Sequence, residues 1–209
     1  MLHSKLTLIC VAAAFSGLAG CAKIRYPDYY LLNVPAPRST ARTTPLLGPV
    51  AVRQFGSPGF LREGPIVYRE SPEHLGFYNY DRWALDPRRA VTTALVSELR
   101  SRGAFQSVDL YDGGTTCDWI VSGTLDHLEE VDEGAGVWVE VALSAQLKSL
   151  RTGEIVWQDA STKRAKLDAR SVPGVVAAMS REMGIAVEAL TTSMLERISV
   201  LQAESRVRE

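Results

Sequence analysis

Between Val137 and Leu150 the chain alternates with a period of two. Val137, Val139, Val141, Leu143, Ala145 and Leu147 fall on one side, and Trp138, Glu140, Ala142, Ser144, Gln146 and Lys148 on the other. This pattern predicts a strand with one buried face and one mostly wetted face. Arg151-Thr152-Gly153-Glu154 then supplies a hairpin turn, and Ile155-Val156-Trp157-Gln158 returns antiparallel. Further on the period changes. Pro173 opens a long helix in which Val176, Met179, Met183, Val187, Leu190, Met194, Ile198 and Leu201 step by three or four, an apolar stripe that needs a partner surface along its whole length. The methionines in that stripe could form an adaptable binding groove, but at helical spacing core packing is the stronger reading.

Upstream, Tyr29-Tyr30-Leu31-Leu32 is a run of strand formers, and the stretch from Asn33 to Leu47, with Pro35, Pro37 and Pro45, reads as a surface linker. Short strands follow at Pro49 to Arg53 and Ile66 to Arg69, with a break at Gly56-Ser57-Pro58-Gly59, and Leu75 to Tyr80 is placed to pair with the second. Asp86-Pro87 starts a helix: the Asp side chain accepts from first-turn amides, and proline at the first helical position needs no donor. Ala90, Val91, Ala94, Leu95 and Leu99 form its apolar face, and Gly103 stops it. Val108 to Tyr111 and Trp119 to Leu125 are further strands. The order of elements predicts an α+β fold, a mostly antiparallel sheet with two helices packed on one face as a sandwich.

The chain has 209 residues, 46% of them apolar and 22% charged, enough for one core and too apolar for disorder. Lys plus Arg number 23 and Asp plus Glu 24, a balance that argues against nucleic acid as a partner. The first 20 residues need separate treatment. Lys5 precedes an apolar run from Leu6 to Phe15 that is too short to span a bilayer, which is the form of a signal peptide. It ends in Leu18-Ala19-Gly20-Cys21, which resembles at every position the lipobox of bacterial lipoproteins, where the Cys sulfur takes up a diacylglycerol before cleavage. An ordinary secretory signal with a chance Cys is the plainer alternative.

With the lipobox, Cys21 is the first residue of a mature chain whose 22 basic and 24 acidic groups give a net charge of −2. Multiple acyl chains then anchor it durably. Ala22, where inner-membrane retention would use Asp, implies the outer membrane, facing the periplasm. Residues 1–20 are thus the signal peptide and 21–28 a lipidated tether, its seven residues after Cys21 reaching at most about 25 Å. Residues 29–201 form one domain, and 202–209 a charged tail expected to be flexible. Cys117, alone in an oxidising compartment, reads as a buried small hydrophobe.

Catalytic signals are sparse. Of the histidines His74 and His127 that remain, neither has a Cys or a second His at ligand spacing, so no metal site is expected. There is no Gly-x-Ser-x-Gly elbow, phosphate loop or His-Glu-x-x-His helix. Glu129, Glu130, Asp132 and Glu133 precede Gly134-Ala135-Gly136. Such a group can hold calcium or act as paired catalytic carboxylates, but the spacing fits no loop template and a solvated hairpin tip is expected. Phe77, Tyr78, Tyr80 and Trp83, with Phe60 and Leu61 upstream, are more often core in strands. Alternation cannot bury all of them, and aromatics dominate docking surfaces. Phe60, Leu61, Tyr78, Tyr80 and Trp83 are therefore the candidate partner-binding residues.

The chain also resembles the ABC-type transport auxiliary lipoproteins. The similarity rests on Tyr29-Tyr30-Leu31-Leu32 soon after the lipobox Cys, Pro58-Gly59-Phe60-Leu61 leading to Ile66-Val67-Tyr68-Arg69, Tyr80-Asp81-Arg82-Trp83 before the first helix, and the hairpin Thr152-Gly153-Glu154-Ile155-Val156-Trp157. The resemblance implies a non-enzymatic subunit without a cofactor beyond the covalent lipid on Cys21. It implies partnership with an MCE-domain protein and its inner-membrane permease, which move phospholipid or other hydrophobic molecules across the periplasm. It also leaves room for a homo-oligomer. An envelope lipoprotein that activates a peptidoglycan synthase or supports a secretion pore is the alternative, and an envelope enzyme using the acidic group a more distant one.

Overall fold

A computed structural model describes residues 25–37, 44–134 and 136–207 of the chain. The signal segment, Cys21 and the first residues of the tether lie outside the described residues. Eight strands and two helices follow in the order β1 (Asp28–Tyr30), β2 (Val50–Val52), β3 (Pro65–Ser71), β4 (His74–Trp83), α1 (Pro87–Arg102), β5 (Val108–Leu110), β6 (Trp119–Glu133), β7 (Gly136–Ser149), β8 (Ile155–Leu167) and α2 (Val172–Val207), with a 3-10 turn at Gly59–Arg62.

Strand β6 is the spine of a single mixed sheet. One of its edges pairs antiparallel with β7 over its full length, from Trp119 opposite Ser149 to Glu133 opposite Gly136. Gly134, with φ of 60°, makes the turn between them, a conformation that suits a residue without Cβ. The other edge is shared. Its start pairs parallel with β2, and its end pairs parallel with β3 through Tyr68 opposite Glu130. From there β5 extends the sheet beyond β2, while β4 and then β1 extend it beyond β3. The long pairings are antiparallel, as the alternation predicts, but four short ones are parallel.

The apolar side of β7 is buried: Val139, Val141, Leu143, Ala145 and Leu147 are in the core. Helix α2 lies over β7 and β8, and α1 packs beside it toward β2 and β5. Met179, Met183 and Met194 are fully buried, so the methionine stripe is core. Asp86 caps α1 by accepting from the Arg88 amide, and Gly103 ends it at φ 61°. The cap and the stop both sit where the sequence puts them.

Two stretches behave differently from the sequence expectation. Residues 33–37 and 44–47 are not a free surface linker, because the Asn33 amide donates to Ser180 Oγ at 3.1 Å and the Leu46 amide to the Ala104 carbonyl at 2.7 Å. Helix α2 continues past Leu201 to Val207, and the Gln202 side chain donates to the Leu46 carbonyl. Both ends of the Pro-rich stretch are thus tied to the helical layer.

Candidate functional site

Only the end of the acidic group before Gly134 is a solvated tip, with Glu133 exposed and Asp132 half-buried. Glu129 and Glu130 are each only 1% exposed, because β6 carries them between two neighbouring strands before the turn is reached. Alternation sends them to opposite faces of the sheet. Glu130, opposite Val139, lies at the rim of the core, where Tyr78 donates to it at 2.6 Å and Arg170 Nε pairs with it at 2.9 Å. Arg170 also reaches Asp132. Burial, and then the hydrogen bond to the Glu130 carboxylate, push the Tyr78 phenol well above its ordinary range.

Glu129 sits on the outer face. Arg69 from β3 grips both its oxygens, at 2.8 and 2.9 Å, and His127 Nδ1 lies 2.9 Å from Oε1. Glu140 of β7, directly opposite, is paired with Arg164 of β8 at 3.2 Å. The structure therefore brings His127, Glu129 and Glu140 together, with potential ligand atoms all within 4.8 Å of one another, a grouping the sequence spacing did not expose. Both carboxylates already hold a guanidinium, so a metal ion would have to displace two strong charge-assisted contacts. The cluster is built as an ion-pair ladder and shows no pair of carboxylates facing an open pocket.

The five candidate partner-binding residues separate by burial. Leu61 is 1% exposed and Trp83 6%, so both belong to the core and present no docking surface. The 3-10 turn points Leu61 inward, and pairing of Trp83 with Tyr30 and Pro65 with Arg82 encloses the end of β4 between strands on either side. Phe60 is half-buried against the core, and Tyr78 is half-buried with its hydroxyl committed to Glu130. Tyr80 alone among them is exposed, with Arg25 stacked 4.4 Å from its ring centroid.

Residues that the sequence reading placed in a strand or did not single out join Tyr80. Tyr26, Tyr29, Leu31 and Leu85 are exposed along the β1–β4 edge and the loop into α1. Strand β1 is only three residues long and lies at the sheet edge, which leaves its outward side chains uncovered. Its nearness to the tether was the signal available in the sequence. Among the described residues no helix is long and apolar enough to cross a membrane.

Comparison with known proteins bears on this arrangement. A protein from Xanthomonas campestris of known structure superposes with a TM-score of 0.71 at 16% identity, covering 85% of this chain and 99% of its own. A second, uncharacterised protein superposes at 0.63 with 15% identity, covering 81% and 99%. At these identities the likeness establishes the fold. No curated protein matches the chain. The profile of one sequence family matches residues 30–193, from β1 through most of α2. By that match, the chain belongs to the family of ABC-type transport auxiliary lipoprotein components.

Proposed function

We infer that this protein is a non-enzymatic outer-membrane lipoprotein, held by a lipid on Cys21, that receives the distal end of an MCE assembly and so helps move phospholipid or another hydrophobic molecule across the periplasm. The observation that carries the reading is the family match over residues 30–193 joined to the Leu18-Ala19-Gly20-Cys21 sequence just ahead of it. The short tether supports it as well, since the domain starts at Asp28 and can stand no more than about 25 Å from its anchor. The docking surface centres on Tyr80, Tyr26, Tyr29, Leu31 and Leu85 in place of the buried Leu61 and Trp83.

No catalytic task is required of such a component. Binding suffices, and exposed aromatic side chains provide large contact area at low entropic cost. The test is affinity purification of the natural lipoprotein from cells expressing the transport system. Recovery of an MCE-domain protein, lost in Tyr80→Glu and Tyr29→Glu variants that fold normally, is expected. Recovery of no MCE-domain protein under those conditions would overturn the reading.

A further inference from the structure

A broad concavity lies apart from the acidic ladder. It is a cleft of about 740 Å³ between residues 31–37 and α1, with α2 as its floor. The chain past β1 rests on α2 at Gly184, where an added Cβ would come within 3.1 Å of Pro35. On its other side it faces Ala90, Thr93, Ala94 and Ser97 of α1, side chains too small to fill the space. Arg89 and Glu98 bracket that row, nine helical residues or about 13 Å apart.

The two ends differ in charge. Glu98 is buried and neutralised by Arg102 at 2.7 Å. Arg89 is exposed, and its guanidinium has no partner among the described residues. The cleft thus combines a trough of mixed lining, apolar along Ala90, Ala94 and Val187 and polar at Asn33, Thr93 and Ser97, with one positive charge at its mouth. Its wall is also poor in backbone donors: Pro35 and Pro37 have none, and the Asn33 amide is taken by Ser180. A peptide laid against those three positions would leave carbonyl oxygens without a donor, whereas an alkyl chain has none to match.

We propose that this cleft binds a single alkyl chain carrying an anionic head, with the chain along Ala90, Ala94 and Val187 and the head at Arg89. The volume lies within the range of small-molecule sites. The proposal goes beyond the docking reading: the cleft shares Leu31 and Leu85 with that surface, but binding in it is tested with no partner present.

The experiment uses the mature chain from residue 21 with Cys21→Ser, which carries neither the apolar signal segment nor an acyl chain of its own, titrated with dodecyl phosphate and with dodecanol below their aggregation concentrations, and read by calorimetry and native mass spectrometry. Saturable one-to-one binding of both, tighter for the phosphate, is expected. Arg89→Glu should weaken dodecyl phosphate about tenfold and leave dodecanol unchanged. Ala90→Leu and the exposed Ser97→Leu should weaken both without lowering the thermal midpoint. Absence of saturable binding would overturn the proposal, as would binding indifferent to all three substitutions. Competition by inorganic phosphate as strong as by dodecyl phosphate would also overturn it, because the site would then be one for anions alone.

Discussion

Glu129 and Glu140 stand directly opposite one another across β6 and β7, and each is held by an arginine from the next strand outward. Two like charges at paired positions disfavour a sheet. Here Arg69, Glu129, Glu140 and Arg164 run across four adjacent strands in the order positive, negative, negative, positive, which makes the pairing tolerable. Arg69 is the more exposed member of its pair, at 21% against 1% for Glu129. Removing it leaves a buried carboxylate facing another carboxylate. Arg69→Ala should therefore cost roughly 3 kcal/mol. Adding Glu129→Gln should restore part of the loss, and denaturant midpoints of the single and double variants would check it. An additive pair of losses would mean that the two residues do not act on each other.

Glu130 has a different environment and a different test. Its contacts come from the Tyr78 hydroxyl and Arg170, and the arginine is half exposed while the tyrosine is the closer of the two. Tyr78→Phe keeps the ring, including its edge contact with Tyr68 at 5.4 Å, and deletes only the donor. The expected loss is about 1 to 3 kcal/mol, the cost of a buried acceptor deprived of a partner. Since the Tyr78 phenol is pushed upward by burial and by Glu130, and that of Tyr30 by burial and by Asp81, both should ionise late in an alkaline absorbance titration. In Tyr78→Phe the late-ionising amplitude should fall by one tyrosine, leaving that of Tyr30.

These buried glutamates mark where sequence reasoning reached its limit. The periodicity between Val137 and Leu150, the Asp86 cap, the Gly103 stop and the apolar stripe of α2 are local patterns, and each appears in the structure at its expected position. Burial of Glu129 and Glu130 depends on β3 arriving alongside β6, bringing Arg69 from 60 residues earlier than Glu129. Nothing near Glu129 in sequence announces that partner. The same applies to Leu61 and Trp83, which look like members of an aromatic surface until the 3-10 turn and the β1–β4 pairing enclose them.

The cap of α1 predicts a pH effect. Partial burial raises the Asp86 carboxyl, but hydrogen bonds from the Arg88 side chain and from the Arg88 amide outweigh it and hold the group below its usual range. The unfolded chain therefore binds this proton more readily than the folded one, so stability rises with pH through this interval. The contribution is complete above the ordinary Asp value of about 4 and is lost as pH falls through the lowered folded value. Asp86→Ala should cost about 1 kcal/mol at neutral pH. Asp86→Asn can still cap, so its thermal midpoint should fall less at pH 7 and lack the part of the acid loss that Asp86 causes.

Gly123 of β6 lies beneath the Phe55 ring. An added Cβ would stand 2.5 Å from the Ser144 carbonyl oxygen and 2.6 Å from the ring. The carbonyl belongs to the paired strand and cannot move without disturbing the ladder, so the contact is not relieved by a side-chain rotation. Gly123→Ala should destabilise by about 1 to 3 kcal/mol even though alanine is otherwise harmless in a strand. Shrinking the ring as well, with Phe55→Leu, should fail to restore stability, since the backbone contact persists. Full restoration in the double variant would assign the close approach to the ring alone.

The thiols offer a count that bears on the anchor. After cleavage before Cys21, Cys10 is gone and the mature chain holds two cysteines, Cys21 and Cys117. The proposed diacylglyceryl thioether would block the first. In denaturant the mature protein should then release one equivalent of chromophore from a thiol reagent, whereas an unmodified secreted chain would release two. The folded protein adds a kinetic test, because burial pushes the Cys117 thiol up, against a smaller opposing effect of its hydrogen bond with the Ala51 backbone. Less thiolate at neutral pH means slower attack. The single equivalent should therefore appear more slowly in the folded state than in denaturant, and Cys117→Ala should abolish it in both. A residual equivalent in that variant would place a free sulfur at Cys21 and remove the lipid anchor.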